Sequence, residues 1–231
     1  MDKKPLVKAV SADKVYESGP LQVHALCGID LEIMPGEMVA IMGPSGCGKT
    51  TLLNCFSGLD DLTSGEVFVD GQSLGKMTDK EKTEYRAKRM GFIFQSYNLL
   101  PVLTAVENVE LPLLVTRNQP KQARATAMGI LEQMGMKGWE EHKPSELSAG
   151  QQQRVAIARS LVNSPAIVWA DEPTGNLDTE TSTQIMQLLK KLNIDNDQTF
   201  VVVTHDTAVS EWSDRILRMR DGKIVEDTAG K

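Results

Sequence analysis

Read only for hydrophobic and polar positions, the chain changes character twice. Its opening third consists of short β-prone stretches, LVKAVSADKVY, LCGIDLEIMPGEMVAIMG and GEVFVDG, punctuated by Gly and Pro, and KRMGFIFQ reads as a further strand. From about residue 98 to 162 the apolar spacing turns helical. Ala123, Ala127, Ile130, Leu131 and Met134 recur on one face, with Pro120 near the start and Gly135 at the end. Strands then return: AIVWADE and TFVVVTHD are nearly continuous apolar runs, the pattern of parallel strands covered on both faces. Between them DTETSTQIMQLLKKLN has helical spacing, and Asp221-Gly222 between RILRMR and KIVED predicts a closing antiparallel hairpin. Alternation of strand and helix predicts an α/β fold with a mostly parallel sheet and a helical insertion.

Composition narrows the function more than the fold. The 231 residues are enough for one large domain with a real core, and 41% apolar with 24% charged residues is ordinary for a globular chain. Twenty-five basic against 31 acidic residues give a net charge of −6, with no basic stretch that would mark a nucleic-acid footprint. No apolar run approaches the roughly 18 residues of a membrane span, so no direct membrane insertion is expected. The N-terminal MDKKPLVKAV lacks the apolar core of a signal peptide, which predicts a cytoplasmic protein. Cys27, Cys47 and Cys55 have neither disulfide nor zinc spacing and read as structural thiols.

Chemistry enters with GPSGCGKT. Gly43, Pro44, Ser45, Gly46, Cys47, Gly48, Lys49 and Thr50, followed by Thr51, match G-x-x-x-x-G-K-[ST] between an apolar strand and an apolar helix. Backbone N–H groups of such a loop wrap phosphates, Lys49 reaches the β- and γ-phosphates, and the Thr50 hydroxyl is a Mg²⁺ ligand. Asp171 and Glu172 end an apolar strand, where α/β sheets place ligands. There Asp171 is a candidate for holding Mg²⁺ and Glu172 for polarising the attacking water. His205 ends another strand and is a candidate γ-phosphate sensor. Gln95 ends the strand GFIF and is a candidate contact for Mg²⁺ or the attacking water.

LSAGQQQR, from Leu147 to Arg154, is a second glycine-containing turn without a phosphate-binding Lys. Ser148 and Gln151 form S-x-x-Q, a capping box, and Val155, Ala158, Leu161 and Val162 continue a helical apolar face. A capped helix start explains Ser148 and Gln151, but not Gly150 or three consecutive glutamines. Small residues with a polar rim also suit an anion near free N–H groups. The residues alone leave both readings open.

LSAGQ resembles the signature of ABC ATPases, usually LSGGQ, and the phosphate loop, Gln95, signature, acid pair and His205 follow that family's order over nearly the whole chain. The resemblance implies a P-loop NTPase, RecA-like core with an N-terminal antiparallel β subdomain. It also implies an inserted α-helical subdomain, within a single domain spanning 1–231 (core about 1–97 and 163–231, helical part about 98–162). It further implies ATP and Mg²⁺ as cofactors and a head-to-tail dimer with a second copy. In that dimer Ser148 and Gly150 touch the γ-phosphate held by the partner, Gln151 lies nearby and Asp178 crosses the interface. Tyr16 matches the aromatic residue that stacks on adenine. Ala149 departs from the usual Gly, a change that favours the helix by about 1 kcal/mol if the residue is helical.

FQSYNLLPVLTAVENVELPLL and DEPTGNLD are similar to the branch containing LolD-like, MacB-like and FtsE-like ATPases. This implies a motor docked on a separate permease of the MacB, LolC or FtsX type at the inner face of the membrane. The function implied is export, or lipoprotein- or macrolide-type extrusion. The alternatives are FtsE-like signalling across the membrane without transport and, less well matched, a soluble ABC ATPase acting on DNA or ribosomes.

Overall fold

The computed structural model describes residues 4–19, 21–116 and 118–229. Two sheets carry the chain. A four-stranded antiparallel sheet has the order β2-β1-β4-β5 (β1 Val7–Ser18, β2 Leu21–Ile33, β4 Ser64–Val69, β5 Gln72–Ser73). A six-stranded sheet has the order β10-β9-β3-β8-β7-β6, formed by β3 Met38–Met42, β6 Met90–Phe94, β7 Ile167–Asp171, β8 Thr199–Thr204, β9 Arg215–Arg220 and β10 Lys223–Asp227. Its pairs from β9 through β6 are parallel, and β10 turns back antiparallel on β9. The closing hairpin forms as its sequence predicts: Asp221 (φ 49°) and Gly222 (φ 75°) both take the left-handed conformation that a tight two-residue turn requires.

The continuous apolar runs are explained by a core on each side of the parallel sheet. Val39, Ile41, Trp169, Val201 and Val203 pack with Leu52 and Phe56 of α1 (Lys49–Phe56) and with the antiparallel sheet. The alternate residues Met38, Val168, Ala170, Phe200 and Val202 pack against α5 (Ala149–Leu161) and α6 (Thr179–Asn196). Period-two alternation in β3, β7 and β8 therefore separates two apolar layers rather than core from solvent.

Between 98 and 162 lie α3 (Ala105–Val115), α4 (Pro120–Gln133) and α5, with no strand among the described residues. Pro120 is the first residue of α4. Ser148 caps α5 as S-x-x-Q foretells: its Oγ accepts from the Gln151 N–H at 3.3 Å, and its own N–H donates to Gln151 Oε1 at 2.8 Å. One helix escaped the periodicity argument. The helix α2 (Asp79–Arg89) is so polar that it buries only Lys82. Its signal was the Thr78–Glu81 capping box. Completing the fold, α7 (Thr207–Ser210) follows β8. Among the described residues no helix is long and apolar enough to cross a membrane.

Candidate nucleotide site

The phosphate loop joins the buried strand β3 to α1, and its geometry depends on glycine. Gly43, Gly46 and Gly48 have φ of 158°, 79° and 105°. A Cβ on Gly48 would stand 2.3 Å from the Ala25 carbonyl oxygen, so only glycine fits there. Gly48 also starts α1 without a side-chain cap, and the first turn has no acidic residue. The helix therefore offers uncapped N–H groups and its positive end to an anion. Lys49, nearly buried, folds its ammonium back onto the Gly43 and Pro44 carbonyls at 2.8 and 3.0 Å.

A cleft of about 720 Å³ opens over this loop. It brings together Tyr16, Pro44, Ser45, Gly46, Gly48, Lys49, Thr50, Thr51, Asp171, Glu172 and His205 from the sequence-derived set. Gly43 and Cys47 do not line it. Cys47 is buried, with its sulfur against Gly43 and the inner apolar layer, so its side chain cannot meet a ligand. Val203 and, from the antiparallel sheet, Val23, His24 and Ala25 complete the wall. The β2 residues were not legible in the sequence, because only the β1–β2 register, which sets Tyr16 opposite Val23, brings them to the cleft. Tyr16 remains partly exposed, its hydroxyl donating to Asp60 Oδ2 at 2.7 Å while the Lys14 ammonium sits 4.8 Å from the ring centroid. Burial, followed by the hydrogen bond to Asp60, raises the phenol's pKa.

Two candidate catalytic groups meet at the far end. Glu172 has φ 47°, a left-handed conformation that costs a non-glycine residue about 1–3 kcal/mol. Its N–H donates to the Val203 carbonyl at 2.9 Å, which ties the turn to β8. His205 Nδ1 lies 2.7 Å from Glu172 Oε1, and the Thr204 hydroxyl donates to Oε2 at 3.3 Å. An Nδ1–H donating to the carboxylate is the tautomer consistent with that pair. It leaves a neutral ring no second N–H, so donation to a phosphate oxygen requires release from Glu172 or a second ring proton. The His205 ring is 68% exposed.

Asp171 points both carboxylate oxygens at Thr50 Oγ1, each at 3.4 Å. This sparse all-oxygen set fits Mg²⁺, which keeps several waters and shares substrate phosphates. Among the described residues no cluster of three or more His, Cys, Asp or Glu side chains forms a cage of its own. Burial, then the neighbouring Glu172 charge, raises the Asp171 pKa. The raised pKa means that a stability penalty appears as pH rises through the window from the ordinary carboxyl value to the raised one, and is absent below it. Asp171→Asn is therefore expected to raise Tm at pH 7, the gain vanishing in acid, when unfolding is followed by circular dichroism. An unchanged or lower Tm at pH 7 would contradict this.

The remaining sequence-derived residues stand elsewhere. Gln95 does not line the cleft: its amide nitrogen lies 2.8 Å from where a Cβ on Gly175 would stand, and its backbone carbonyl accepts from Asn176 Nδ2 at 2.8 Å. Ser148, Gly150, Gln151 and Asp178 are also outside it. Asp178 caps α6 by accepting from the Thr181 N–H at 2.9 Å and the Thr181 hydroxyl at 2.7 Å. A Cβ on Gly150 would approach Thr181 Cγ2 to 2.7 Å, and that Thr is held by Asp178. Packing of the α5 and α6 starts thus supplies a reason for Gly150 that needs no anion. Ala149 is the first residue of α5, where a methyl is tolerated.

Comparison with known proteins agrees with this geometry. The ABC transporter family profile matches residues 26–175. An uncharacterized ABC transporter ATP-binding protein, MJ0796, of Methanocaldococcus jannaschii is 47% identical, with 96% of both chains aligned. The lipoprotein-releasing system ATP-binding protein LolD of Pseudomonas syringae pv. tomato is 45% identical over 98% of this chain and 100% of its own. Among solved structures, the dimeric post-hydrolysis state of MJ0796 bound to ADP and Pi superposes with a TM-score of 0.88 at 45% identity, covering 96% of this chain and 97% of the other. Together, the phosphate loop, the acid pair and these full-length similarities make the chain an ATP-binding subunit of the ABC transporter family, and so one of its ATPases.

Proposed function

We propose that the chain is the Mg²⁺-dependent motor of a membrane transporter, closing head to tail with a second copy when both bind ATP. The observation that carries this is the division of the site. Phosphate loop, Asp171, Glu172 and His205 share one cleft, while the exposed start of α5 at Ser148 lies outside it. A second copy brings that capped helix start over the cleft, where its N–H groups and Ser148 meet the γ-phosphate. That the similar MJ0796 cassette is dimeric in its solved structure supports pairing of two copies.

In the closed site, Lys49 leaves its two loop carbonyls for the phosphates, and Thr50 with Asp171 holds Mg²⁺. The cation's contribution is to neutralise phosphate charge. Glu172, released from His205, accepts a proton from the attacking water, and His205 turns its N–H to the γ-phosphate. Gln95 acts from the neighbouring loop, whose first carbonyl is tied to Asn176 beyond Glu172. Tyr16 receives the base on its exposed face.

The segment 98–162 serves as the helical signature subdomain, with the rest of the chain as its core. Leu100 and Val102 before α3, and Leu114 and Val115 at its end, are exposed apolar side chains, Val102 74% and Val115 62% accessible. Exposed apolar side chains beside the Gln95 loop suit docking by a membrane permease. LolD, part of a lipoprotein-releasing system, supports extrusion of a lipoprotein-like or related cargo and a peripheral place at the cytoplasmic face of the membrane.

Light scattering of the purified chain is the direct test. Mg-ATP is expected to convert monomer to dimer, and hydrolysis to return it. A monomer that turns over ATP at the same rate at all protein concentrations would overturn the shared-site reading.

A further inference from the structure

The loop between β6 and α3 contains two consecutive non-glycine residues in the left-handed conformation, Tyr97 (φ 59°) and Asn98 (φ 49°). Asn tolerates this region and an aromatic residue does not. Short local bonds, Tyr97 N–H to Phe94 O at 3.1 Å and Asn98 N–H to Ser96 O at 2.6 Å, close the turn without explaining why it is held so tightly.

The explanation comes from another element. Arg159, in the last turn of α5, donates from Nη2 to the Tyr97 carbonyl at 2.7 Å and from Nη1 to the Asn98 carbonyl. It lines a small cleft together with Phe92, Phe94 and Pro112, and burial lowers its pKa. Among the described residues it has no carboxylate partner, so the two loop carbonyls supply its pairing. The rigid fork of a guanidinium addresses two acceptors at once, whereas an ammonium is a point charge.

The same loop is tied at both ends. Asn176, four residues beyond Glu172, holds the Gln95 carbonyl. The buried amide of Asn108 on α3 accepts from the Leu100 N–H at 2.7 Å and donates to the carbonyls of Leu100, Leu103 and Thr104. One short segment therefore links the turn after Glu172, the helix that begins at Ser148, and α3. Arg159 acts at its strained centre.

We propose that Arg159 is a positioning residue for ATP hydrolysis, whose guanidinium holds Tyr97 and Asn98 in left-handed conformations and so sets Gln95 and the start of α5 relative to Glu172. The inference rests on the ATPase cycle proposed above. It predicts a loss in the chemical step rather than in nucleotide binding, because the phosphate loop is untouched.

Steady-state ATPase kinetics and Tm of Arg159→Ala, the double variant Tyr97→Gly/Asn98→Gly, and their combination make the test. Arg159→Ala is expected to lower kcat about 10- to 100-fold with little change in KM for ATP, the scale of a modest misplacement of reacting groups. Glycine takes the left-handed conformation without steric cost, so the glycine pair should recover most of that kcat in the Arg159→Ala background. It should leave the otherwise native chain near its own rate. Arg159→Lys should resemble Arg159→Ala and supplies the same cycle if the alanine variant does not fold. A kcat loss that follows Tm and is not rescued by the glycine pair overturns the proposal, as does native kcat in Arg159→Lys. Absence of hydrolysis by the native chain would instead remove the ATPase reading itself.

Discussion

Glu172→Gln is expected to stop turnover while sparing ATP binding, and to accumulate an ATP-bound dimer. The amide keeps the size of the side chain and one acceptor oxygen, so it can still accept from His205 while its NH2 donates to the Thr204 hydroxyl. What it lacks is the capacity to take a proton from water, a contribution of about 10²–10⁴-fold in rate. Nothing in the change reaches the glycine-built loop, Lys49 or Thr50, so nucleotide affinity should persist. Single-turnover hydrolysis and light scattering with Mg-ATP measure the two halves of the prediction. A variant that hydrolyses within a few-fold of the native rate, or that binds no ATP, would remove Glu172 from its assigned role.

Replacement of Ser148 by Asp should have the second large effect, and the structure explains why Asp is the informative choice. Ser148 caps α5 through its hydroxyl, so a substitution without a short acceptor loses about 1 kcal/mol of helix stability and confuses folding with function. Asp caps a helix as well as Ser does, yet brings a full negative charge to the place where the partner's γ-phosphate is expected. Like charges brought together across an interface cost several kcal/mol. Dimerisation and ATPase activity should therefore fail together, by about 100-fold or more, while Tm and ATP binding by the monomer stay near native. Sustained dimerisation with Mg-ATP would show that α5 begins away from the phosphate.

Both predictions concern residues identifiable from local sequence. Lys49 and Thr50 stand out because a glycine-rich turn between an apolar strand and a helix is a contiguous pattern, and the structure places them in one cleft with Asp171, Glu172 and His205. The Ser148 cap is equally local, since both of its hydrogen bonds stay within four residues. The polar helix α2 leaves no apolar period in the sequence, because it buries only Lys82 and is fixed at its start by the Thr78–Glu81 capping box.

What the sequence determined by itself is therefore what is encoded over a few neighbouring residues: the phosphate loop, the strand ends that carry the acids, the closing hairpin and the capped start of α5. Only the tertiary structure decided which distant residues share a surface. It turned Cys47 inward, brought Val23, His24 and Ala25 to the cleft, left Gln95 outside it, and set Gly150 against Thr181. It also put Arg159 on the carbonyls of Tyr97 and Asn98, more than 60 residues away. The physical reason is that strand register, helix crossing and left-handed backbone are settled by packing of the whole sheet and its two apolar layers. A periodic pattern states which side of an element is buried, but not which partner it meets.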